Sequence, residues 1–145
     1  MKLLVAATLL VGASGTAAAQ ANRWERQVQD QLQRTLTTLG VRGSPHPPVA
    51  TKTGVLNAEE SAWLTVTLSR GVSYAIIGVC DNDCSRLQLV LTTPDHNELA
   101  SDRSSENFPI LRFTPAAAQV FRVKVVMEAC QVSPCWYGMA VVERD

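Results

Sequence analysis

Three observations predict an all-β chain, an antiparallel β-sandwich of jelly-roll type with about eight short strands behind one N-terminal amphipathic helix. From Thr51 onward, apolar side chains recur at every second position. Turn formers interrupt that alternation at near-regular intervals. All four cysteines follow a leader-like N-terminus, as in exported chains stapled by disulfides.

Taken in order, Lys2 precedes an apolar run from Leu3 to Val11, and small residues follow up to Ala17-Ala18-Ala19-Gln20-Ala21. This is the layout of a secretory signal peptide over residues 1–21, with cleavage after Ala21 preferred over cleavage after Ala19. The run is too short to cross a hydrocarbon layer of about 30 Å, which takes roughly 20 residues, and no later stretch is longer. The mature chain is therefore expected to carry no transmembrane segment and to be exported, to the periplasm or the extracellular space.

Residues 22–40 predict a helix. Trp24, Val28, Leu32, Leu36 and Leu39 fall on one stripe, Arg23, Arg26, Gln29 and Asp30 fill other faces, and Asn22 with Glu25 has the form of a capping box. Gly40 stands where helices commonly end. Residues 41–50 form a Pro-rich linker, because Pro45, Pro47 and Pro48 lack amide donors and fix φ.

The sandwich domain is expected over residues 51–145. Gly54 to Leu56 opens it, and Leu64, Val66 and Leu68 alternate with threonines. After the Arg70-Gly71 turn, Val72, Tyr74 and Ile76 share one face, with Ile77 and Val79 on the other. Leu87, Leu89 and Leu91 follow, then a turn at Thr93-Pro94-Asp95-His96-Asn97 and a weak strand at Glu98 to Ser101. Ile110 to Phe113 comes next. Phe121, Val123, Val125 and Met127 alternate with Arg122 and Lys124, and Tyr137, Met139 and Val141 close the series.

Four cysteines allow three connectivities. Local pairing of Cys80 with Cys84 and Cys130 with Cys135 is predicted, because each pair brackets a turn-like segment. The spacings C-x3-C and C-x4-C do not favour zinc.

With 13 basic and 13 acidic side chains in 145 residues, the chain has no net charge. That excludes capture of nucleic acid through overall positive charge. No catalytic residue is assigned: G-x-S-x-G is absent from the mature part, and His46 and His96 sit among prolines and in a turn. No cofactor is assigned either. Asp81, Asn82 and Asp83 supply loop oxygens of the kind calcium takes, with Asp102 as a further donor, but Asp-Asn-Asp is equally an ordinary exposed turn. Trp63 and Trp136 both face outward if their neighbours face the core. They form a surface for a ligand or partner, or the bed on which the helix docks, or each ring is buried separately.

Gly54-Val55-Leu56, Leu68-x-x-Gly71-x-x-Tyr74, Leu87-x-Leu89-x-Leu91, Asp102 ahead of Pro109, Phe113-x-Pro115, Phe121-x-Val123 and Tyr137 after the last cysteine resemble, in that order, the bacterial pre-peptidase C-terminal (PPC) domain and its stand-alone relatives. The resemblance covers roughly residues 51–143. It implies a jelly-roll domain that is not itself catalytic, often appended to secreted peptidases, some relatives binding calcium or an extracellular polymer. Arg86 and Gln88 stand where the family carries acids in a D-x-D-like arrangement, and Gln119-Val120 replaces the small glycine before the late aromatic. Any role that depends on those acids is not expected here.

The function expected from these readings is a non-catalytic, exported binding or accessory domain, with an extracytoplasmic protein or glycan as partner. A calcium-dependent module using the Asp81 to Asp83 loop, and a secreted hydrolase, are the alternatives.

Overall fold

The computed structural model describes residues 16–40, 47–104 and 106–144, and side chains from Arg23 onward. The apolar run of the expected signal peptide, His46 and residues 41–46 of the expected linker lie outside the described residues.

Eight strands form two four-stranded antiparallel sheets. They are β1 (Ala50–Leu56), β2 (Ser61–Leu68), β3 (Ser73–Cys80), β4 (Cys84–Thr92), β5 (Glu98–Asp102), β6 (Ile110–Phe113), β7 (Gln119–Cys130) and β8 (Cys135–Arg144). The first sheet has the order β1-β8-β3-β6 and the second β2-β7-β4-β5. This is the jelly-roll sandwich that the alternation predicts. Leu68, Leu89, Phe121, Val123, Ile76 and Met139 meet between the sheets, each at most 1% exposed.

Turn chemistry fixes the strand ends. Gly71 takes φ +75°, a conformation without steric cost only for glycine, and its amide donates to the Pro115 carbonyl at 2.9 Å. The Ser69 amide donates to the Tyr74 hydroxyl at 3.0 Å, so the tyrosine of the Leu68-to-Tyr74 motif clasps its own turn. At the opposite end, the pairs Cys80–Cys84 and Cys130–Cys135 are both disulfides. The Gln131 amide donates to the Asp83 carbonyl at 2.8 Å, which joins the two cystine loops.

Helix α1 (Thr16–Thr38) begins earlier than its expected start. Asn22, read from sequence as the cap, lies inside it. The intervening Ala17-Ala18-Ala19-Gln20-Ala21 are strong helix formers with nothing to break the helix. Its end is where the sequence puts it: Gly40 has φ +76° and its amide donates to the Thr37 carbonyl at 3.0 Å.

Val28, Leu32 and Leu36 lie on the outer face of the first sheet, against Ala75, Ile77, Val79, Ala140 and Val142. That second core explains why β3 and β8 are apolar on both faces. The fit is close at Gly138, where an added Cβ would stand 2.9 Å from Val28 Cγ1 and 3.2 Å from Val79 Cγ2. No helix among the described residues is long and apolar enough to cross a membrane.

Candidate binding face around Trp63

The helix covers one outer face of the sandwich, whereas no element of the described residues packs over the other, that of β2-β7-β4-β5. Inward Leu64, Val66 and Leu68 force Trp63, Thr65 and Thr67 of β2 outward, and on β7 the same alternation turns Arg122 and Lys124 outward. The antiparallel register sets Trp63 opposite Lys124 and Thr65 opposite Arg122. The Arg122 guanidinium lies 4.4 Å from the centroid of the Trp63 ring, and Lys124 Nζ lies 5.5 Å from it. His96 meets the same indole edge-on, with 5.3 Å between centroids and 74° between planes.

His96 is presented by the tight β4–β5 turn, where it takes φ 66°. Its Nε2 is 3.1 Å from Arg122 Nη1. A guanidinium only donates, so in this contact Nε2 is the acceptor. Lys52, from the edge strand β1 of the other sheet, donates from Nζ to the Trp63 carbonyl at 2.7 Å and fixes the backbone under the indole. Val90 and Thr92, the outward residues of β4 in the same cross-strand rows as Lys124 and Arg122, are only 7% and 4% exposed. With no element of the described residues above them, that cover comes from adjacent side chains, which are thereby packed in place.

Electrostatically the face divides in two. At its margins the acids are occupied: Arg86 pairs with Glu128, and Arg103 donates to both oxygens of Glu98 at 2.6 and 2.7 Å. That contact with Arg103 holds the Glu98 carboxyl well below the usual range, at about 2. At the centre, Arg122 and Lys124 have no carboxylate within 4.0 Å among the described residues. With Glu98 and Glu128 engaged elsewhere, the two cations beside Trp63 have no carboxylate partner among the described residues and face outward toward any external anion.

The structure separates the two tryptophans that the sequence places on one surface. Trp136 is on β8 of the other sheet and packs into the helix-covered cluster, with Val55 as its cross-strand neighbour. Outward from the two sheets means opposite directions, so the helix docks over Trp136 and leaves Trp63 on the far side.

The three aspartates considered for calcium also part company. Asp81 is 2% exposed; its carboxylate accepts from the Trp136 amide at 2.7 Å and the Asp83 amide at 3.2 Å. Burial pushes this carboxyl above its ordinary range, against the pull of those amides. Asp102 belongs to another turn, accepting from the Ser104 amide at 3.0 Å and the Ile110 amide at 2.9 Å. Burial opposes ionisation there too, but the two amides outweigh it and the carboxyl lies below its usual value. Asn82 accepts from Gln27 Nε2 at 2.7 Å, so the Asp81 to Asp83 loop anchors the helix. Among the described residues no three His, Cys, Asp or Glu side chains converge to hold a metal. His96, the candidate base of the hydrolase reading, has Arg122 and Trp63 as its ring contacts, neither of them a nucleophile.

Sequence reading passed over Arg122 and Lys124, which look like the polar half of an ordinary amphipathic strand. Their significance depends on the β2–β7 pairing, between strands far apart in the chain.

No family model and no curated protein sequence matches the chain. Among solved structures, the crystal structure of Aeromonas hydrophila PliG, a periplasmic lysozyme inhibitor of g-type lysozyme, is similar with a TM-score of 0.49 at 10% identity, over 66% of this chain and 85% of that one. At that level the likeness carries no argument about what this chain binds.

Proposed function

We propose that this protein is a non-catalytic binding module of the extracytoplasmic space, and that its uncovered sheet face captures an acidic surface of a partner protein. The observation that carries the reading is the placing of Arg122 and Lys124 over Trp63 without a carboxylate partner among the described residues, on the face the helix leaves open. Tryptophan and arginine are the side chains that most often dominate protein interfaces, and unpaired cations select an acidic complement. A protein surface suits the face better than a sugar ring does. Arg122 already lies over the indole and His96 meets it edge-on, so the ring is no open stacking platform. The disulfides support the exported setting, since cystines persist in oxidising compartments. The likeness of the strand motifs to the PPC domain fits the same accessory role.

Binding of the disulfide-bonded protein to immobilised poly-L-glutamate, with polygalacturonate and a neutral dextran as comparisons, tests the reading. Poly-L-glutamate should bind, and Trp63→Ala and Arg122→Ala should each weaken it by about tenfold, the cost of one well-placed interface contact. Binding that neither substitution changes, or a preference for polygalacturonate, overturns it.

A further inference from the structure

A second group of cations without a carboxylate partner among the described residues lies elsewhere, at the end of the first sheet. Ser73 opens β3 and is the cross-strand neighbour of Arg144 on β8, while Ala75, two residues along on the same face, is the neighbour of Arg112 on β6. Period-two alternation therefore brings Arg112, Ser73 and Arg144 to one face, from three adjacent strands. Together with Tyr74, Phe113 and Thr114 they line an open cleft of about 340 Å³. Among the described residues neither arginine has a carboxylate within 4.0 Å or a side-chain hydrogen bond. Glu143, next to Arg144 in sequence, alternates to the opposite face as the neighbour of Tyr74.

The cleft also holds a hydroxyl pair. Ser73 Oγ and Thr114 Oγ1 are 3.2 Å apart, so one hydroxyl donates to the other and the second keeps its proton for a third group. Two guanidiniums with no counter-charge among the described residues repel each other, and an anion between them removes that repulsion. Guanidinium forks match oxyanions through paired, charge-assisted hydrogen bonds. Donors reach this cleft from both flanks of β3 and from a hydroxyl. Such an arrangement suits the three or four oxygens of a tetrahedral group better than the two coplanar oxygens of a carboxylate.

We propose that the cleft between Arg112 and Arg144 is a binding site for a tetrahedral oxyanion, a phosphate or sulfate group. The site is independent of the Trp63 face, which is on the other sheet, and its acceptance does not depend on that reading.

Titration of the ¹⁵N-labelled protein with inorganic phosphate, at ionic strength held constant with sodium chloride, provides the test. Saturable shifts are expected at the amides of Ser73, Tyr74, Phe113 and Thr114. Arg112→Gln and Arg144→Gln should each weaken the affinity by about tenfold, and the double variant should abolish the response. Both side chains reach solvent, so the variants retain the fold, and an unchanged spectrum away from the cleft verifies that. Sulfate should titrate the same amides, whereas acetate should not, and Trp63→Ala should leave the phosphate response unaltered. Shifts that do not saturate, that survive in the double variant, or that acetate reproduces overturn the proposal.

Discussion

Asp81, buried, and Asp102, half-buried, each accept two backbone amides, yet they respond to pH in opposite senses. Burial keeps the Asp81 carboxyl above the ordinary value of 3.8, so the folded protein holds its proton more tightly than the unfolded chain. Its contribution to stability is therefore full below 3.8 and is lost as pH rises through the folded value. Asp102 is shifted down, so its contribution is present above 3.8 and is lost as pH falls through the depressed folded value. Urea unfolding across this range should show the sign difference. Relative to wild type, Asp81→Asn should gain stability as pH rises from about 4, while the deficit of Asp102→Asn should shrink as pH drops below about 4. Asp81→Ala should cost about 1–3 kcal/mol, because the Trp136 amide loses its carboxylate acceptor in a part-buried site.

The helix and the first sheet need each other. On its own the helix carries an apolar stripe, and without it β3 and β8 would expose Ile77, Val79 and Val142. Leu32, 4% exposed, is the middle residue of the stripe. Leu32→Ala should destabilise the protein by about 2–4 kcal/mol in chemical denaturation, through lost burial and the cavity left behind. Gly138→Val tests the same contact from the other side. The new side chain would push against Val28 and Val79 and detach the helix, which should appear as binding of a hydrophobic dye and loss of helical circular dichroism. Much of this was legible in the chain. The Val28, Leu32, Leu36 spacing marks the buried stripe, and the unbroken apolar runs in β3 and β8 mark strands with two covered faces. The start of the helix was not, because an Asn followed by Glu three residues on has the form of a cap whether or not the alanines before it are helical.

Across the whole molecule, both disulfides gather at the end of the sandwich opposite the Gly71 turn. The β3–β4 and β7–β8 loops carry both cystines, with Asp81, Asp83 and Glu128 nearby. Arg112, Arg122 and Arg144 lie toward the end that carries the Gly71 turn, whereas Arg86 and Glu128 pair beside the cystines. If acidic partners bind through exposed cations, poly-L-glutamate affinity should fall by about tenfold between low and high salt, as the screening length contracts from about 30 Å at 0.01 M to about 8 Å at 0.15 M. Each cystine closes a short loop, so replacing either pair with alanines should lower stability by about 2 kcal/mol and leave the sandwich folded.

The period of the apolar residues determined the strands, and the brief spacing of the cysteines determined their pairing, because both are local properties in which neighbours along the chain meet each other. Which sheet a strand joins is not local. Trp63 and Trp136 carry the same signal of an outward tryptophan on an alternating strand, but only the strand order puts one beneath the helix and the other beside Arg122. The grouping of Arg112, Arg144 and Ser73 has the same origin: each reads alone as solvated surface, and only cross-strand register, set by how the two sheets close over a shared core, makes them one site.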